Sequence, residues 1–242
     1  MFPIKMAGEA RGFLRENTWD DRALDIKVTE VVEATTIDAA FLREIDERNH
    51  SLGTKLCCCR WDADDVDAKR AFFEAGYQLV ESSVDFELPL RRFKGRKAFD
   101  FVAPQKEHHD TLVQIATEQF QFSRFHEDPK IPREKAARRY AYWMRDLLAQ
   151  DKCRIALDKH DKIVGFFVAT QEGENQRSLL VGLHPDFARM GSFFYSSVFE
   201  SLKPKGGKVF GRVSTANIPA MKIHIQAGFT IRESSFDYHK HY

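Results

Sequence analysis

Asn217 and His224 stand seven residues apart in NIPAMKIHIQAGF, a spacing that sets both on one face of a helix, about two turns apart. Histidine is the side chain that most readily exchanges a proton near neutral pH, so this face can carry acid–base work. Asparagine at a helix start either caps the helix or holds a ligand. A second group, SRFHEDP, collects Arg124, His126, Glu127 and Asp128 in one loop. It can receive a polar acceptor, and it can equally be an ordinary charged loop. Asp237-x-His239-x-His241 would align three possible metal ligands on one strand face. A solvated strand face is the expectation there, and no metal is expected. Cys57, Cys58 and Cys59 are adjacent and cannot form a spaced disulfide framework or a CxxC zinc pair. They read as small hydrophobes on a buried strand, which points to a reducing, cytoplasmic setting.

The elements that must position these residues follow from periodicity. Leu112, Val113, Ala116 and Phe120 recur at helical spacing, as do Tyr140, Met144, Leu147 and Leu148. The proline-punctuated FQFSRFHEDPKIP between them is a loop. Arg154–Leu157 and Ile163–Thr170 flank DKHDK as a hairpin. The strand SLLVGL, the loop HPDFARMG and a helix over about 192–202 come next. After KPKGGK come the short strand VFGRV, a helix from Asn217 to about Ala227 stopped by Gly228, and two extended segments, TIRES and SFDYHK. This order predicts a mixed α/β layout around one sheet. Basic LRRFKGRK, residues 90–97, lacks apolar periodicity and reads as a linker.

Composition excludes some classes. With 37 basic and 36 acidic side chains there is no net field to steer nucleic acid or an anionic membrane. No apolar run reaches the ~20 residues needed to span a bilayer, and the start lacks the apolar core of a secretory signal.

The chain also repeats itself. Residues 56–88 slide onto 208–240 without gaps, and eight positions coincide, where composition alone predicts about two. They are Arg60/Arg212, Ala68/Ala220, Ala75/Ala227, Gly76/Gly228, Glu81/Glu233, Ser82/Ser234, Ser83/Ser235 and Asp85/Asp237. The expected organisation is a degenerate structural half-copy over 1–89, the linker over 90–97 and a complete domain over 98–242. Asp65, Phe72 and Ala39 stand in the first copy where the second has Asn217, His224 and Gly191. Without a glycine between its strand and helix, the first copy offers no backbone nest for phosphates.

In its Asn217 to Phe229 segment, and in the strand and glycine loop over 179–202, residues 98–242 resemble the GCN5-related N-acetyltransferases (GNAT). The half-copy stretch FFEAGYQLVESSVDFELPL, the Ser123-Arg124-Phe125 loop and the helix carrying Trp143 resemble the TDP-fucosamine acetyltransferase group. The resemblance implies a GNAT acyl-CoA fold with acetyl-CoA as co-substrate. Val181, Gly182 and Leu183 would pair with the pantetheine arm. Met190, Gly191, Ser192, Phe193 and Phe194 would hold the pyrophosphate at a helix N-terminus, and Asn217 would help hold the cofactor. Arg124, Phe125, His126 and Trp143 would face the acceptor.

Two positions depart from the family pattern. Phe193 stands where a second small residue is usual, and His224 stands where a tyrosine protonates the leaving thiolate. The implied reaction is acyl transfer to the primary amine of a small molecule, a nucleotide-linked amino-deoxysugar by resemblance. Transfer to another small amine, and a non-catalytic acyl-CoA-fold binding protein, remain alternatives. A homodimer is left open.

Overall fold

The chain opens with β1 (Phe2–Met6) and β2 (Glu9–Glu16), paired antiparallel, in the computed structural model, which describes residues 1–6 and 9–242. Then follow α1 (Thr18–Leu24), β3 (Val28–Val32), α2 (Ala39–Leu52), β4 (Leu56–Asp62), α3 (Val66–Glu74) and β5 (Gln78–Pro89). Each of the three helices begins on a side-chain cap: Asn17 accepts from the Asp20 N–H, Asp38 from Phe41 and Asp65 from Ala68. Gly53 ends α2 in the left-handed region, at φ 69°, where glycine bears no Cβ penalty.

The remainder comprises α4 (His109–Gln119), α5 (Arg133–Ala149), β6 (Cys153–Leu157), β7 (Ile163–Glu172), β8 (Asn175–Leu183), α6 (Gly191–Leu202), β9 (Lys208–Ser214), α7 (Ile218–Gln226) and β10 (Thr230–His241). TIRES and SFDYHK, expected as two segments, are the one strand β10. Among the described residues no helix is long and apolar enough to cross a membrane.

Contacts divide the chain into two units that are not its consecutive halves. The first takes Met1–Ser83, Ser123–Ala136 and Ser234–Tyr242; the second takes Val84–Phe122 and Ala137–Glu233. In the first unit the strands run β1-β2-β3-β4-β10, with β3 parallel to β4 and β10 antiparallel to it. Alternation along β4 sends Cys57 and Cys59 into a core with Phe41, Ile45 and Phe72. Cys58 faces the other core, with Leu24, Val28, Phe125 and Ile131. All the cysteines are buried and free, as the hydrophobe reading requires.

In the second unit the strands run β5-β9-β8-β7-β6. One side packs Leu112, Ile115, Tyr140 and Met144 of α4 and α5 against Ile155, Phe166 and Leu180. The other packs Phe194, Val198 and Phe199 of α6 against Phe86, Val209 and Phe229. The segment expected as a linker is packed: Leu90 and Phe93 belong to this core. Its backbone is anchored to α6, with Arg96 N–H donating to Ser196 Oγ at 2.9 Å and Ala98 N–H to Ser197 Oγ at 2.8 Å.

The repeat explains the discontinuous units. Arg60 Nε donates to Asp237 Oδ2 at 2.9 Å in the first unit, and Arg212 Nε donates to Asp85 Oδ2 at 2.9 Å in the second. Each arginine is thus paired with the aspartate of the other copy. The copies have exchanged their closing strands, so the half-copy expected at 1–89 is completed by Ser234–Tyr242.

Candidate functional site

The second unit carries a parted pair of strands. β8 and β9 are parallel but paired only at Gln176↔Val209 and Arg177↔Phe210. β8 stays paired with β7 as far as Gly165↔Leu183. The register against β7 jumps between Val168↔Leu180 and Ala169↔Ser178, so Leu179 is an extra, bulged residue. Beyond Arg177 the β9-facing edge of β8 is therefore outside the paired register, and an extended ligand can add to it. Val181, Gly182 and Leu183, which the resemblance assigns to the pantetheine arm, occupy this stretch. A Cβ on Gly182 would come within 2.7 Å of the Phe166 ring, so close ring packing also explains the glycine.

The loop after β8 winds as a 3-10 helix over Pro185–Met190 and runs directly into α6. Gly191 takes ordinary right-handed helical geometry (φ −49°, ψ −52°). Its missing side chain matters sterically, since a Cβ would lie 3.3 Å from Ile223 Cδ1 of α7. Met190 gives the helix no side-chain cap. Ser192 and Phe193 are exposed, Phe193 by 61%. Phe194 is 0% exposed, its ring 5.5 Å from that of Phe101. Among the five expected phosphate-loop residues, the Phe194 side chain is therefore core. A cavity of about 150 Å3 lies where α6 and α7 meet the anchored segment, lined by Lys94, Ser192, Tyr195 and Gln226 among others. Sequence reading passed over Lys94 because it sits in an apparent linker.

Asn217 caps α7, its Oδ1 accepting from Ala220 N–H at 3.2 Å. His224 is buried among rings: Phe86 stacks at 5.1 Å, with Phe229 at 4.9 Å and Tyr195 at 5.7 Å. Its Nδ1 lies 2.8 Å from Ala220 O, which can only accept, so Nδ1 carries the proton and Nε2 faces Gly211 of β9 as an acceptor. Burial lowers its pKa, so the ring is uncharged at neutral pH. These surroundings are those of a packing histidine and work against the expected role as proton donor to a thiolate. Tyr195 is no readier an acid, burial having pushed its hydroxyl up to about 12.

The expected acceptor residues fall in different units: Arg124, Phe125 and His126 in the first, Trp143 in the second. Arg124 is 8% exposed and its guanidinium meets Glu30 Oε1 at 3.0 Å, Asp237 Oδ1 at 3.3 Å and Asp20 Oδ2 at 3.9 Å. Its charge is already matched, so it is an internal anchor rather than a receptor for an anionic acceptor. Phe125 is core. His126 Nδ1 is 2.9 Å from Ser123 Oγ, which holds the turn. Trp143 is partly buried on α5, with the Arg139 guanidinium 5.8 Å from its ring.

Glu81 was not singled out as a site residue by sequence, and Asp128 entered only as a member of the charged SRFHEDP loop. Burial, reinforced by the charge of Asp237, raises the Glu81 carboxyl from 4.5 to about 7. A raised folded pKa gives stability that is full below 4.5 and lost as pH rises through about 7. Glu81→Gln should therefore be more stable than wild type above pH 7, by up to about 3 kcal/mol. In denaturant titrations the gap should close towards pH 4.5. The histidines of Asp237-x-His239-x-His241 do not form a solvated strand face. His239 and Asp128 are fully buried, with His239 Nδ1 2.7 Å and His241 Nε2 2.8 Å from Asp128 Oδ2.

No family model matches this sequence. The spore coat polysaccharide biosynthesis protein SpsD of Bacillus subtilis (strain 168) is 20% identical over 234 residues, 93% of this chain and 81% of that protein. A GCN5-related N-acetyltransferase from Sphaerobacter thermophilus matches at a TM-score of 0.66 with 12% identity, over 97% of this chain and 78% of that one. A tandem GNAT protein from the clavulanic acid biosynthesis pathway matches at 0.63 with 11% identity, over 98% and 81%. With its parted strands, its bulge and these structural relatives, the chain has the mixed α/β fold of the GNAT acyltransferases.

Proposed function

We propose that this protein is an N-acyltransferase that moves an acetyl group from acetyl-CoA to the primary amine of a small molecule, in the first instance a nucleotide-linked amino-deoxysugar. The observation that carries the reading is the departure of β8 from β9 beyond Arg177, next to the start of α6. Backbone groups at Val181–Leu183 would pair with the extended arm of the co-substrate. The N-terminal turn of α6, with Lys94 close by at the adjoining cavity, would favour its phosphates. The neutral amine attacks the thioester carbonyl and forms the new N–C bond, the C–S bond breaks, and the nitrogen gives up its proton to water. The thiolate leaves with a pKa near 8.5, by analogy with cysteine, and takes a proton from water. The relative that acts in polysaccharide biosynthesis supports a sugar acceptor.

Saturating acetyl-CoA should stabilise the chain, by about 2.7 kcal/mol at 100 times its Kd. A nucleotide amino-sugar should then release free CoA thiol. Release only with other amines would replace the acceptor, and no stabilisation by acetyl-CoA would leave a binding protein without this chemistry. His224→Phe should keep most of the rate, because the ring acts in packing.

A further inference from the structure

We infer that Asp128, His239 and His241 form a binding site for a divalent transition-metal ion of the zinc class. The two histidines stand on alternate residues of β10 and share a face. Asp128 comes from the loop between α4 and α5, in the same unit. The three donor atoms, His239 Nδ1, His241 Nε2 and Asp128 Oδ2, lie within 4.8 Å of one another. Two imidazole nitrogens and one carboxylate oxygen suit zinc, nickel or copper rather than magnesium or calcium.

The carboxylate is already aimed. Lys130 N–H donates to Asp128 Oδ1 at 2.9 Å, which leaves Oδ2 for the ion. Ion–ligand distances of about 2.0–2.2 Å would hold tetrahedral donors roughly 3.3 Å apart, so the present 2.7 and 2.8 Å separations would open by about half an ångström. The His241 side chain, 18% exposed, can make that adjustment.

Three protein ligands leave a fourth position free, the mark of a site that exchanges ligands. His241 lines a cavity of about 280 Å3 with Leu24, Ile131, Lys55, Lys130 and Lys135, through which an ion can enter. Lys135 is held by Leu24 O at 2.6 Å. The ammonium groups around this opening oppose a bare cation and favour an anionic fourth ligand, such as a phosphate or carboxylate.

After chelator treatment, the 242-residue chain should take up one equivalent of Zn2+ by calorimetry, and one of Co2+ with visible absorption of a tetrahedral nitrogen–oxygen site. Asp128→Asn and His241→Gln, each with native circular dichroism, should weaken Kd by at least about 100-fold, beyond what loss of a supporting contact costs. The partly exposed position of His241 makes its variant the one to rely on if Asp128→Asn does not fold. No stoichiometric uptake by the wild type, or uptake that a folded variant retains in full, would overturn the assignment.

Discussion

Arg124→Met should destabilise the protein by about 3–5 kcal/mol, read as a lower urea midpoint at neutral pH. The methionine fills much of the space, so the loss measures uncompensated charge rather than a void. Glu30 would keep only Arg15, whose Nη2 lies 2.6 Å from it, and Asp20 and Asp237 would each lose a cation. Burial pulls the Glu30 pKa upwards, but Arg124 and Arg15 outweigh it and hold the carboxyl below its ordinary 4.5. A depressed folded pKa gives stability that is present above 4.5 and lost as pH falls through the folded value. The gap between wild type and variant should therefore narrow below about pH 4.5. A variant as stable as the wild type at pH 7 would show that Arg124 is not the anchor of this cluster.

Phe194→Ala should cost a similar 3–5 kcal/mol, because it empties a fully buried site between Gly165, Phe99 and Phe101. Its neighbour is the contrast. Phe193→Gly removes an exposed ring and should cost only about 1 kcal/mol, the helix penalty of glycine. Any change in acetyl-CoA affinity in that variant then reports the ring's obstruction of the helix start, free of core damage. Equal destabilisation by the two substitutions would mean that the first turn of α6 is rotated from the arrangement described.

Much of the second unit was legible because its signals are local. An asparagine cap, helical spacing and a glycine stop placed α7, and the DKHDK turn placed the β6–β7 hairpin. The SRF loop was not legible, because its charges look solvated until their partners are known. The partners of Arg124 lie 94 and 113 residues away, beyond any window in which periodicity operates. The same distance hid Asp128 from His239 and His241, so Asp237, His239 and His241 at alternate positions of one strand read as a polar face. His224 shows the reverse limit. Its helix position was read correctly, but periodicity says which face a residue is on and not whether that face meets solvent or rings. The repeat was visible at its offset of 152, the separation of the hydrogen-bonded Ser83 and Ser235. The exchange was not visible, since identical arginines and aspartates in both copies satisfy either pairing.

That exchange has a consequence for how the chain is made. Most of the first unit emerges from the ribosome within the opening third of synthesis, yet β4 waits for a neighbour encoded after residue 233. Until then the strand bearing three cysteines has one bare edge, the kind of edge that pairs with other chains. Arg60 meanwhile has no Asp237 to meet. Loop closure over such separations is the slow part of folding, so the first unit should reach its native state late. A nascent chain stalled shortly before Ser234 would be the species most in need of a chaperone.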